Sequence, residues 1–165
     1  MSRGFVKEGD QEDTPLVTPR PYLPPGVENY VTSNGLQALK LEREELLRER
    51  SLYTGIDNND ARVKNNFINA KLNLVEERIH SARVLDYDSN KQSSIAFGAT
   101  ITFTKVGNPE KYKYQIVGVD EANITKGKIS FLSPLSKILL NKNIGDRVNF
   151  NTPTGLQVIE IQNIE

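Results

Sequence analysis

At 165 residues the chain is long enough for one ordinary domain, or for a small domain with an extension. Hydrophobic residues make up 37% and charged residues 25%, both globular values, and no run is long enough to span a membrane. The 21 basic and 21 acidic residues cancel, which argues against duplex binding by counterion release. With no cysteine and His80 as the single histidine, disulfides, thiolate nucleophiles, Cys-His zinc sites and Ser-His-Asp triads are excluded.

Met1 to Glu8 lacks the apolar core of a signal peptide, so a cytoplasmic protein is expected. Residues 1–30 read as an extended or disordered leader, acidic and punctuated by Pro15, Pro19, Pro21, Pro24 and Pro25. Phe5, Val6, Tyr22 and Leu23 are its candidates for pinning to a folded surface.

A helix is expected to open at Thr32 or Ser33, either of which serves as an N-cap. Leu39, Leu46 and Tyr53 recur by sevens and share a side with Leu36, among mostly charged residues. Gly55-Ile56-Asp57-Asn58-Asn59-Asp60 breaks that pattern as a turn. A second helix starts near Asn59 or Asp60 and runs to about Arg83. Its seam is Ala61, Ile68, Val75 and Ala82, joined by Leu72 and Ile79. Two seamed helices joined by a tight turn bury their stripes on each other, giving an antiparallel coiled-coil hairpin over residues 31–85.

From Asp86 the period changes. Ser94 to Thr104, Tyr112 to Val119 and Lys128 to Leu132 read as strands. Arg147 to Phe150 and Gln157 to Ile161 form a further pair around Pro153-Thr154-Gly155. Ser133 caps a short helix over 134–140, and Pro134 takes its first position, where the missing N–H costs nothing. The fold class is therefore α+β: a helical hairpin, then a small antiparallel sheet domain over 86–165 carrying one short helix.

Three blocks carry a family resemblance. They are Ile116-Val117-Gly118-Val119-Asp120-Glu121-Ala122, the run Ile129 to Val148 built around Ser133-Pro134, and Asn151-Thr152-Pro153-Thr154-Gly155. In this order they closely resemble the C-terminal domain of the GreA/GreB transcript cleavage factors, and the similarity extends over roughly residues 30 to 165. The resemblance implies an FKBP-like sheet domain that docks on the rim of the RNA polymerase secondary channel, and a hairpin that enters it. It implies an accessory elongation factor and no enzyme: the polymerase cleaves its own backtracked RNA, and acidic tip residues help hold the polymerase's magnesium ion. No cofactor of its own is expected. Nascent RNA and DNA are met only within the elongation complex, and a monomer is expected.

The residues the resemblance assigns are Leu132, Ser133 and Pro134 for docking, and Asp57 and Asp60 as tip candidates beside the ion. Two departures from the family stand out. The arm spends about fifty residues on both helices, so one side is roughly 30 Å long at the helical rise, several turns short of the usual arm. The family's Gly-Asp-Leu-Lys-Glu-Asn tip is absent; Gly55 to Asp60 keeps a glycine and two carboxylates. Asp57 and Asp60, with Asn58 and Asn59, offer oxygens to a hard cation, but the same residue types suit any helix–helix turn. In the shortness of its arm the chain also resembles Rnk-type relatives, which occupy the same site without promoting cleavage. The family's Asp or Asn before Ser-Pro is here Leu132, so either that contact is apolar or Leu132 turns inward. Arg43, Arg48, Arg50, Arg62, Lys64 and Lys71 either line RNA or form a solvated face paired with glutamates such as Glu44. His80 is expected to be structural. Peptidyl-prolyl isomerase activity, suggested by the fold, asks for a wide aromatic pocket in a chain that has no Trp.

Overall fold

The structure is a computed structural model and describes residues 15–165; Phe5 and Val6 lie outside them. Thr32 caps the first helix, α1 (Ser33–Ser51), accepting a 2.9 Å hydrogen bond from the Gly35 N–H. Asn58 caps α2 (Asn59–Ser81) by accepting from the Ala61 N–H at 2.8 Å. Arg48 and Arg50 sit in the last turn of α1 and Asp60 in the first turn of α2, each favourable to the helix dipole. Leu39, Leu46, Ile68, Leu72 and Val75 are buried between the two helices, with Tyr53 and Ile79 packed at the margins. The heptad spacing and the helical hairpin thus stand in the structure, except that α2 ends at Ser81, so Ala82, expected in the seam, lies beyond the helix in extended backbone. Asp60 lies inside the helix, two residues beyond the cap itself.

The hairpin's base is closed by a pairing that periodicity does not announce. β1 (Asn29–Val31) enters α1 and β2 (Ala82–Val84) leaves α2, and the two run parallel, Asn29 beside Ala82. Three residues are too few to show a period of two, and parallel partners this far apart carry no turn signal.

Five strands make the second layer: β3 (Thr100–Lys105), β4 (Asn108–Val117), β5 (Lys128–Ser130), β6 (Arg147–Thr152) and β7 (Gly155–Ile164). Their order is β5-β4-β3-β7-β6. β3–β4, β3–β7 and β6–β7 are antiparallel, whereas β4–β5 is parallel, so the sheet is mostly antiparallel with one parallel edge. A 3-10 turn at Ile124–Lys126 lies in the crossover that brings β5 beside β4 in that direction. Register shifts at Thr104/Lys105 and Thr102/Phe103 bend β3 against both neighbours and curl the sheet. Ile101, Phe103, Ile159 and Ile161 alternate inward and pack with Ile116 and Ile129, and Leu139 from α3 (Pro134–Leu139) is fully buried in the same core.

One strand starts later than its composition indicates. Residues 94–99 are not in the sheet. The Ile95 N–H donates to Lys142 O and the Gly98 N–H to Ile116 O, so the backbone here serves the α3–β6 loop and the end of β4. Ile95 and Ala99 are nevertheless fully buried, which explains their apolar, strand-like signature.

Candidate functional site

Ser133, Pro134 and Leu132 lie on the turn between β5 and α3. The Ser133 hydroxyl accepts from the Ser136 N–H at 3.2 Å, and Ser136, fully buried, donates from its own hydroxyl to Ser130 O at 2.7 Å. This stack fixes the turn from beneath. Pro134 is exposed and Leu132 half-buried. Its backbone N–H donates to the Ser130 hydroxyl at 3.1 Å. The turn therefore offers an exposed proline ring on a rigid base.

At the far end of the hairpin, Gly55 has φ +81° and Asp57 and Asp60 are exposed. Asn58 spends its oxygen on the helix cap, and the Asn59 oxygen accepts from Arg62 at 3.3 Å. Among the described residues no three His, Cys, Asp or Glu side chains gather to hold a metal ion. The tip residues do not form a metal site by themselves. They leave two carboxylates free to meet an ion held elsewhere.

The basic residues of the arm are largely engaged with the protein's own surface. Arg48 faces Glu44 at 3.8 Å, Arg43 faces Glu76 at 3.9 Å, and Arg50 donates to Asn69 at 3.2 Å. Lys64 and Lys71 lie over the rings of Tyr53 and Phe67, at 4.9 and 4.6 Å. His80 is exposed rather than packed beside the seam. On the sheet domain, Phe103, Tyr112, Tyr114, Leu135 and Phe150 line an open groove of about 210 Å³. That is below the roughly 300 Å³ usual for a small-molecule cleft, so the groove lends no weight to isomerase activity.

The most elaborate polar construction lies between these two ends, at the junction of hairpin and sheet domain. Asp120, its side chain only 5% exposed, accepts from Arg20 Nε at 2.6 Å and faces Arg78 Nε at 3.4 Å. Arg20 also grips Glu42 of α1 with two bonds, at 2.8 and 3.1 Å. Burial disfavours the Arg20 charge, but the hydrogen bonds to Glu42 and Asp120 more than offset it and raise its pKa above the ordinary arginine value. Beside this cluster, Glu121 accepts from the Thr32 hydroxyl at 2.8 Å and from Lys128 at 3.2 Å. Tyr30, Phe97 and Phe131 form a three-ring contact with centroids 5.6 to 5.8 Å apart. The backbones approach closely here: a Cβ on Gly118 would stand 2.4 Å from Tyr30 O. Gly118, Asp120 and Glu121 belong to the block Ile116 to Ala122, in which periodicity and spacing assign them no role. The available signal was two adjacent carboxylates directly after an apolar run.

The fold is thus a two-helix arm standing on a curled sheet domain that carries an exposed Ser-Pro turn. Residues 90–165 match the family model described as transcription elongation factor, GreA/GreB, C-term. The chain is 33% identical over 150 residues to the transcription elongation factor GreA of Vibrio vulnificus (strain CMCP6), covering 82% of this chain and 96% of that protein. It is 31% identical over 150 residues, with the same coverage, to GreA of Lactococcus lactis subsp. lactis (strain IL1403). Among solved structures, the GreA factor homolog 1 (Gfh1) protein of Thermus thermophilus is similar at 24% identity and TM-score 0.40, over 84% of this chain and 99% of that one. The chain belongs to the GreA/GreB family.

Proposed function

We propose that the protein is a transcription elongation factor that binds RNA polymerase and promotes the polymerase's own cleavage of backtracked RNA. The observation that carries this reading is the match to proteins named transcription elongation factor GreA across 96% of their length, arm and domain together. The sheet domain docks on the rim of the secondary channel with Pro134 exposed at the contact, Ser133 holding the turn and Leu132 beside it. The hairpin enters the channel. In this reading Asp57 and Asp60, both exposed, add oxygens to the magnesium ion that the polymerase holds. The factor is an accessory: the bond-breaking groups are the polymerase's, and nucleic acid is met only inside that complex. A Rnk-like competitor without cleavage is not favoured, since the matched relatives carry the name of an elongation factor. Among the described residues no helix is long and apolar enough to cross a membrane, and we place the protein, as a monomer, with its polymerase in the cytoplasm.

Two experiments test the parts separately. Pro134→Arg puts a long charged side chain on an exposed first helical position, so the fold should survive while competition for core polymerase weakens. Unchanged binding by the folded variant would remove the docking assignment. The pair Asp57→Asn and Asp60→Asn should bind polymerase as the wild type does and lose stimulated cleavage. Full cleavage by that double variant would show that the tip carboxylates take no part.

A further inference from the structure

Residues 15–28 contain no helix or strand, yet they are anchored at the point where the arm meets the sheet domain. Arg20 reaches Glu42 on α1 with both ends of its guanidinium fork and Asp120 on the sheet domain through Nε. One residue on, the Pro21 carbonyl accepts from Arg78 of α2, which itself faces Asp120 at 3.4 Å. Further along, Asn29 donates to Arg78 O at 3.0 Å and to the Ser81 hydroxyl at 3.1 Å. A single short segment thus touches both helices of the arm and the domain on which the arm stands. Arg20 and Asp120 are 100 residues apart, so nothing local holds this arrangement.

The chemistry suits a staple. Pro15, Pro19, Pro21, Pro24 and Pro25 fix φ at each position and leave no N–H to seek a partner, so the segment loses little freedom on docking. A planar guanidinium can serve a carboxylate on each side at fixed directions, which an ammonium cannot. Arg20, Arg78 and Asp120 have side chains 17%, 14% and 5% exposed, so water does little to screen them. Among the described residues Asp120 Oδ2 finds no hydrogen-bond partner. Without Arg20, the buried carboxylate would keep only the 3.4 Å approach of Arg78.

From this geometry we infer that residues 15–28 act as a staple fixing the angle between hairpin and sheet domain, with Arg20 as its positioning residue. A factor that docks with one part and acts with the other depends on that angle, because an error at the root is carried along the whole arm to the tip. The staple itself is independent of the proposed function; its effect on backtracked complexes rests on it.

The chain has no cysteine, so Ser51→Cys near the tip of α1 and Asn149→Cys on β6 supply two unique spin-label positions. In the full chain the distance distribution between them should be narrow. Arg20→Ala should widen it or move its mean, and Arg20→Lys should fail to restore it because the fork is lost. Glu42→Gln, at an exposed side chain, should widen it less and keeps the test open if Arg20→Ala folds poorly. A folded Arg20→Ala or Arg20→Lys with the wild-type mean and width would overturn the staple. On polymerase, Arg20→Ala should bind with unchanged half-saturation while its maximal effect on backtracked complexes falls several-fold. Lowered affinity with an unchanged maximal effect would refute the positioning role. Failure of the wild type to bind polymerase would refute the proposed function and leave the distance result standing.

Discussion

The root of the arm and its tip are built from the same residue types to opposite ends. At the root, Asp120 and Glu121 are partnered by Arg20, Arg78, Thr32 and Lys128, and a glycine is needed because a carbonyl of another segment stands where its side chain would be. At the tip, Asp57 and Asp60 are exposed, and a Cβ on Gly55 would meet nothing within 4 Å. Each root residue is held by groups distant in sequence, so each substitution is felt by several segments. The tip answers only to local rules, a positive φ and a helix cap, which several sequences satisfy equally well. The residues that carry the family resemblance include the constrained root, whereas the tip is one of the places where the chain departs from it.

The largest effect should come from the seam that supports both ends. Ile68 is 1% exposed, and Ile68→Asp places a carboxylate with no partner between two apolar faces, at about 3–5 kcal/mol. Hydrogen exchange should show the arm opening before the sheet domain does. An unaltered arm would mean that the helices are not held by this stripe.

Gly118→Ala should come next. Its Cβ would sit 2.4 Å from Tyr30 O, a backbone atom that cannot rotate away, so a loss of about 1–3 kcal/mol is expected from thermal melts. At the tip the matching change, Gly55→Asn, keeps a residue that tolerates φ +81° and should alter stability by less than about 0.5 kcal/mol. Equal costs at the two glycines would erase the contrast between root and tip. Ser133→Ala removes the cap of α3, at about 1 kcal/mol. Melts of the full chain, followed by a probe in the sheet domain, should register the change.

A smaller effect depends on pH. Asp86 accepts from the Ser33 hydroxyl and from the Ser33 N–H at 2.9 Å, at the start of α1, and these bonds hold its pKa below the ordinary aspartate value. Its folded pKa is thus lower than its unfolded one, so its contribution is complete above the unfolded value, about 3.9, and is lost as pH falls through the folded value. The wild type should be slightly more stable than Asp86→Asn at neutral pH, and the two should converge in acid. A difference that persists at low pH would place the effect elsewhere. Asp57→Asn with Asp60→Asn should leave the melting curve within about 0.5 kcal/mol of wild type, because both side chains are exposed and Asp60 supports α2 only through the helix dipole.

What the sequence determined by itself was set by interactions within a few residues or by simple periods. Spacing by sevens placed Leu39, Leu46, Ile68, Leu72 and Val75 in one seam, and capping chemistry narrowed the start of α1 to Thr32 or Ser33 and placed that of α3 at Ser133. The three blocks of resemblance pointed to the family before any fold was drawn. The tertiary structure alone decided what distant segments do to one another. It set β1 parallel to β2 and β5 parallel to β4, and it delayed β3 to Thr100 by giving the preceding backbone groups other partners. It also brought Arg20 across 100 residues to Asp120. A helix cap or an apolar stripe carries its partner with it along the chain, whereas a buried ion pair or a parallel ladder is specified only when two remote stretches meet in register.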